Sequence, residues 1–258
     1  MSGASSGIGA EVARSLAREG AAVAILARNE QALAAVATQI QDEGGEAIVV
    51  AADLRYTDAV KAAVQEVRER LGGPDLLVNC AVDATDQVFL EDQDDKDLAR
   101  GLDINLGGAF RLCHAVVPDM TQRQRGGIVL VSSVAGLRGL PSNTGYCAAK
   151  HGVIGLVRAL ALEVGHVGVR VNAVCPGLVD APGTTDAPRY ANDFMRSLAE
   201  HHGPVDLTWE RYLARAVRST ALRRLISPGE VASTIRFLLS DDSDGITGQA
   251  IVIDGGAS

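Results

Sequence analysis

The sequence predicts an α/β fold: a doubly wound parallel sheet in three layers, with helices on both faces. Three observations carry that expectation. Short apolar runs such as AVAILA (22–27) and LLVNC (76–80) have the length and continuity of strands buried on both faces. Stretches of helical length alternate with such runs almost to the end of the chain. Glycine pairs at 44–45 and 72–73 stand where intervening helices must stop.

In order along the chain, 8–19 reads as an amphipathic helix, followed by the strand at 22–27. A helix over 30–43 ends at Gly44-Gly45 and is followed by a strand at 47–51. The next helix, 58–70, stops at Gly72-Gly73 before the strand at 76–80. A longer helix is expected over 97–117, then a strand at 128–132, a helix at 146–164 and a strand at 170–174. A helix over 228–239 and a strand at 250–253 close the pattern. With 258 residues, no repeat and no low-complexity linker, one domain spanning 1–258 is expected. The stretch 180–227 breaks the rhythm. It is rich in Pro and Gly and holds Tyr190, Phe194, Trp209 and Tyr212, so it is expected to form a substrate-binding lid.

Composition narrows the function. A net charge of -8 argues against nucleic acid or an anionic membrane as a partner. No apolar run approaches the ~20 residues that span a bilayer. MSGASSGIGA lacks the basic-then-apolar pattern of a signal peptide. Cys80, Cys113, Cys147 and Cys175 are far apart, with neither a CxxC nor a histidine at ligand spacing. They read as buried small hydrophobes in a reducing, cytoplasmic protein, with no metal site expected.

The first chemical signal is the glycine loop Gly3-Ala-Ser5-Ser6-Gly7-Ile8-Gly9, which leads straight into a helix. Its glycines permit positive φ and close approach of a pyrophosphate, and the helix N-terminus offers unpaired N–H groups. An ordinary tight turn is the plain alternative. The strand that follows ends in Ala27-Arg28, where a carboxylate would hold the ribose hydroxyls of NAD. Arg28 can pair with a 2′-phosphate instead, which favours NADP(H) and leaves NAD(H) as the alternative. Arg28 could also be a solvated surface arginine. Asp53 stands where a side chain could meet the adenine, or where a turn needs an aspartate.

Tyr146 and Lys150 lie four apart near a helix start, so they share a face. A tyrosine with a pKa of about 10 is a poor base at neutral pH, and a neighbouring ammonium favours its phenolate. Ser132-Ser133 ends a buried strand upstream, and a hydroxyl there can hydrogen-bond a carbonyl oxygen. Either serine could instead cap the loop.

Taken together, SGASSGIG (2–9), Asp53-Leu54, LVNCA (77–81), Asn105 in DINLGG, SSVAG (132–136), YCAAK (146–150), RVNAVCPG (170–177) and ITGQAIVIDGG (246–256) resemble the short-chain dehydrogenase/reductase superfamily, in its compact branch. The resemblance implies a Rossmann-like fold and a catalytic tetrad of Asn105, Ser133, Tyr146 and Lys150. It selects Ser133 over Ser132 by spacing to the tyrosine. It implies that Tyr146 exchanges the proton, Ser133 polarises the oxygen, Lys150 lowers the tyrosine pKa and binds ribose, and Asn105 positions a relaying water. It implies cofactor contacts at Gly3, Ser5, Ser6, Gly7, Ile8, Gly9, Arg28, Asp53, Leu54, Asn79, Ala81, Pro176, Gly177 and Val179, besides Tyr146 and Lys150. The expected activity is interconversion of a small-molecule carbonyl and alcohol, in a homotetramer or dimer built from the helices at 97–117 and 146–164.

Four departures stand against the family pattern. Val82 replaces a glycine, and would be strained if φ there were positive. Ala181 replaces a threonine, which Thr184 or Thr185 could substitute, and Ala149 replaces a serine. Most seriously, the glycine loop begins two residues after Met1, so the first strand is missing and two strand edges are expected to lie unpaired. Met1 is accordingly read as a mis-assigned or truncated start, about ten residues short of a strand. Two alternatives remain: an NAD-linked secondary-alcohol or diol dehydrogenase, and a non-catalytic NADP-binding subunit. The lid aromatics suggest a moderately large apolar substrate, with packing against the core as the alternative. Leu137, Leu140, Pro141 and Asn143 are candidate pocket residues. His201-His202 are discounted as an acid–base or metal site because no carboxylate or cysteine is placed to complete it.

Overall fold

The computed structural model describes residues 1–84, 87–182, 184, 191–201 and 207–257. Its first half runs α1 (Gly7–Arg18), β1 (Ala22–Ala27), α2 (Glu30–Asp42), β2 (Glu46–Ala51), α3 (Thr57–Leu71) and β3 (Leu76–Asn79). Helix α4 (Asp95–Leu102) then passes through a π turn (Asp103–Gly107) into α5 (Gly108–Arg123). The chain continues through β4 (Gly126–Val131), α6 (Thr144–Val164), β5 (Val169–Pro176), α7 (Ala191–His201), α8 (Trp209–Ser219), α9 (Pro228–Leu239) and β6 (Ala250–Ile253).

The named strands pair in parallel, β2 with β1 on one side and β3-β4-β5-β6 on the other. Residues 1 and 2 join the two groups. Ser2 bridges in parallel to Leu26 of β1 and to Asn79 of β3. The Ser2 N–H donates to Val78 O (3.0 Å), and the N–H of Cys80 donates to Ser2 O (3.0 Å). On the other side the Leu26 N–H donates to Met1 O (2.8 Å), and the Met1 ammonium donates to Ala24 O (2.9 Å). The two strand edges expected to lie unpaired are thus bridged by Met1 and Ser2 where the glycine loop begins. Burial lowers the Met1 ammonium pKa to about 6.

Two apolar layers sandwich the sheet. On one face Val60, Leu112, Val116, Val153 and Val157 of α3, α5 and α6 pack on Ile128 and Leu130. On the other, Val12, Leu33, Ile235 and Leu238 of α1, α2 and α9 pack on Val129 and Val131. Alternate residues of β4 therefore serve opposite faces, as a pleated strand requires. That two-sided burial explains why its sequence is a continuous apolar run rather than an alternating one. Helix α9 starts with a reciprocal capping box: Ser227 Oγ accepts from the Glu230 N–H, and Glu230 accepts from the Ser227 N–H, with Pro228 in the first turn.

The stretch 180–227 is more regular than its composition predicts, since it contains α7 and α8. Phe194, Trp209 and Tyr212 pack on one another (ring centroids 5.1–6.1 Å apart), with Ala191, Met195, Leu198 and Leu213 around them. These aromatics form a small cluster of their own, separate from the two main apolar layers, an arrangement the sequence reading did not expect. Tyr190, Thr185 and His202 lie outside the described residues.

Candidate active site

The C-terminal ends of β1, β2 and β3 open into a cleft of ≈ 440 Å³ lined by Gly3, Ser5, Arg28, Asp53, Leu54 and Ala81, all expected cofactor residues. Ala27, Asn29, Val82 and Ile104 also line it. Its floor depends on glycine. At Gly3, φ is +67° and an added Cβ would sit 2.5 Å from the Ala81 nitrogen. At Gly9 a Cβ would lie 2.1 Å from Gly3 O, so the loop could not fold back on itself. Ser6, the N-cap of α1, makes no side-chain capping bond, and no acidic residue stands in the first turn. An uncapped helix N-terminus preceded by a loop whose Gly3 and Gly9 leave no room for a Cβ fits a pyrophosphate. Arg28 adds a cation at the β1 end of the cleft.

Asp53 is committed more than the sequence indicates. Its carboxylate accepts from Arg55 Nε (3.0 Å) and Nη2 (2.6 Å), and from the Arg55 backbone N–H (3.0 Å). Hydrogen bonding by Arg55 holds its pKa below the usual carboxylate range. Asp53 therefore forms the turn while lining the cleft. Arg55, which takes this carboxylate, carried no signal in the sequence.

The remaining expected contacts are not among the residues lining the cleft. Asn79 is buried, accepting from Ser2 Oγ and the Ala81 N–H. Gly177 is packed so closely on β6 that a Cβ would lie 2.8 Å from Asp254 Cβ. Val179 points into the apolar layer and bridges to Ile226. Pro176 ends β5, and Ile8 lies in the first turn of α1. Val82 is 54% exposed and is not among the residues with positive φ, so the expected strain is absent. Ala181 is buried, its Cβ 3.7 Å from where a Gly7 side chain would begin. The Thr184 backbone closes a turn, its N–H donating to Ala181 O (2.9 Å) and its carbonyl accepting from Trp209 Nε1 (2.9 Å).

Lys150 is 2% exposed, and its ammonium donates to Val131 O (2.9 Å) and lies 5.6 Å from the Tyr146 ring centroid. Burial pushes its pKa down to about 8, against smaller upward pulls from Cys80 and Cys175. The Cys80 thiol is itself pushed up to about 12 by burial. The two serines face opposite ways. Ser132 is buried and donates to Lys150 O (3.0 Å), pinning α6 to β4. Ser133 is half-buried, accepts from the Ala135 N–H (3.1 Å), and leads into a short 3₁₀ turn. Asn105 is 1% exposed within the π turn. Its Oδ1 accepts from the Asp83 N–H (3.1 Å), and its Nδ2 donates to Asp83 O (2.7 Å). Asp83 and its partner Arg100 were not singled out by sequence reasoning.

His201 needs a correction. A carboxylate does reach it, from 109 residues away: Asp92 Oδ2 lies 3.2 Å from its Nε2. The same oxygen accepts from Ser197 Oγ (2.7 Å), and Phe89 stacks on the imidazole with centroids 4.9 Å apart. This contact docks α7 on the loop before α4. Among the described residues no group of His, Cys, Asp or Glu could hold a metal ion.

The family model for short chain dehydrogenases matches residues 1–192. The chain belongs to the short-chain dehydrogenase family. A second model, described as enoyl-(acyl carrier protein) reductase, matches residues 206–258. This family member is 37% identical over 259 residues to a 3β-hydroxysteroid dehydrogenase of Mediterraneibacter gnavus, covering 99% of this chain and 92% of the relative. It is 34% identical to a 3-oxoacyl-(acyl-carrier-protein) reductase of Chlamydia muridarum, with 99% and 95% covered. Among solved structures, an actinorhodin polyketide ketoreductase with NADPH superposes with a TM-score of 0.87 at 33% identity, over 99% of this chain and 95% of that one. The chain is therefore an oxidoreductase of the type that acts on CH–OH groups. None of its helices among the described residues is long and apolar enough to cross a membrane.

Proposed function

We propose that this enzyme is an NADP(H)-dependent reductase or dehydrogenase interconverting a ketone or aldehyde and an alcohol, with Tyr146 as its acid–base group. The observation that carries the reading is the buried Lys150 ammonium beside the Tyr146 ring. A cation held there favours the phenolate and brings the tyrosine toward working pH. The nicotinamide, when bound, supplies or accepts the hydride. Tyr146 gives its phenolic proton to the carbonyl oxygen, or takes the alcohol's proton in the reverse direction. Ser133 O–H hydrogen-bonds that oxygen, a role open to it because its partner Ser132 is spent on the α6 backbone. Asn105, its amide held by Asp83, is left with its main-chain carbonyl to hold a relaying water on the lysine side. The π register supports this, since an i→i+5 turn takes a carbonyl off the ordinary helical ladder.

Arg28, with Asp53 already paired to Arg55, is the cation offered to a 2′-phosphate, which supports NADP(H) over NAD(H). Exposed Phe110 on α5 and Leu162 on α6 support a homotetramer or dimer built on those helices. Four free cysteines suit a reducing cytoplasm.

The test is purified enzyme with NADPH and a panel of ketones, hydroxysteroids, 3-oxoacyl thioesters and sugars. Tyr146→Phe should lower turnover about 10³-fold while NADPH still binds, as read by its fluorescence. Full activity in that variant would refute the mechanism. NADPH binding with no turnover across the panel would favour a non-catalytic subunit.

A further inference from the structure

We propose that Asp83 and Arg100 are a positioning pair for the reaction, holding the loop after β3 against α4 so that Asn105 and Val82 keep their places in the site. This rests on the role given to Asn105 above. Asn105 has no freedom to orient itself: both ends of its amide are taken by the backbone of one residue, Asp83. Where Asp83 sits therefore decides where Asn105 sits. Asp83 follows Val82, which lines the cofactor cleft, so the same short loop serves both.

What holds Asp83 is its side chain. The carboxylate, only 12% exposed, accepts from Arg100 Nε at 2.9 Å. Arg100 is steadied in turn by Asp97, 2.7 Å from its Nη1. A partly buried pair of this kind resists screening better than a surface pair. Arg100 and Asn105 belong to one continuous helical run. At 3.6 residues per turn, residues five apart would point about 140° away from each other. The π turn at Asp103–Gly107 intervenes, and its i→i+5 register brings five-residue spacing back toward one face. Both side chains accordingly meet the same residue, one by the carboxylate and one by the backbone. Arg111 braces the turn from outside, its Nη2 2.5 Å from Asp103 Oδ1 and its Nη1 3.0 Å from Leu54 O. The closed circuit runs from Asn105 amide to Asp83 backbone, Asp83 carboxylate, Arg100 and back along the helix. Opening it at the ion pair loosens the loop without deleting a group that touches substrate.

The experiment measures kcat per NADPH-binding site, KM for NADPH and Tm, using the panel ketone that the wild type reduces fastest. The variants are Asp83→Ala, Arg100→Ala and their double, with Asp83→Asn and Arg100→Lys keeping weaker contacts in case the alanines fold poorly. We expect each alanine variant to lose about tenfold in kcat, since small misplacements near the reacting atoms are costly. KM for NADPH should change less than kcat, by under about threefold, because the glycine loop at 3–9 and Arg28 are untouched and Val82 is one wall residue among many. The double variant should be no worse than either single, because both remove one interaction. The conservative variants should fall between. A pair that is merely structural would lower Tm and the number of binding sites but leave kcat per site intact, and that result overturns the proposal. Additive losses in the double variant overturn it as well. If Tyr146→Phe is inactive and Arg100→Ala is normal, only the positioning pair fails. Asn105→Ala keeps the main-chain carbonyl but loses the amide held by Asp83, so its kcat should fall as in the pair variants, and full activity there overturns the pair.

Discussion

Lys150 should stabilise catalysis at the expense of the fold, and Lys150→Met should reveal it. The ammonium is 2% exposed, and burial takes its pKa from 10.5 to about 8. At about 1.4 kcal/mol per tenfold, that is a penalty of ~3 kcal/mol on the charged form in the native state. Methionine matches the aliphatic stem and removes the charge. The variant also abandons the bond to Val131 O, and an unpaired buried carbonyl costs about 1 kcal/mol. The net expectation is a gain of ~2 kcal/mol near pH 7. The sign with pH is definite. The folded pKa lies below the unfolded one, so the penalty is fully present below about 8 and is relieved as pH rises toward 10.5. Urea unfolding of both cofactor-free proteins should show the methionine variant more stable near pH 7, with the gap closing by about pH 10. Its turnover should be lost throughout. A variant less stable near neutral pH, or a gap indifferent to pH, would refute the assignment of a desolvated ammonium at this site.

Other predictions follow from particular contacts. Arg28→Ala should raise KM for NADPH by about tenfold or more and leave that for NADH nearly unchanged, since one charge-assisted phosphate contact contributes ~2 kcal/mol; equal effects on both cofactors would exclude the 2′-phosphate role. Ser227→Ala removes half of the α9 capping box and should cost about 1 kcal/mol in thermal unfolding without touching turnover. Asp92 is held below the usual carboxylate range first by the Ser197 hydroxyl and then by His201. Its contribution to docking α7 should persist at neutral pH and disappear as acid titrates it. Asp92→Ala should shift the emission of the single tryptophan, Trp209, which packs on Phe194 of α7, at neutral pH; an unchanged spectrum would mean that Asp92 does not hold the helix down.

Much of the site was legible because its constraints are local. Gly3 and Gly9 announce a loop that folds on itself, and a four-residue step places Tyr146 and Lys150 on one helix face. Apolar runs marked β1, β3 and β4 because both faces of those strands are buried. The helices α7 and α8 within 180–227 were not legible, because composition averaged over that stretch hides two short helices with their own aromatic cluster.

The sequence by itself determined the fold class, the order of strands and helices, the glycine loop and the residue types of the candidate tetrad. Each of those follows from periodicity or from backbone preference within a few residues. The tertiary structure decided the rest. It turned Ser132 inward and left Ser133 half-buried at a turn, gave Asp53 to Arg55, and paired Met1 and Ser2 with the strands on either side. It brought Asp83 to Arg100 across 17 residues and Asp92 to His201 across 109. Contacts of that kind have no period along the chain. They exist only once packing has closed the intervening loops, and no local pattern of residues encodes which loop will close on which.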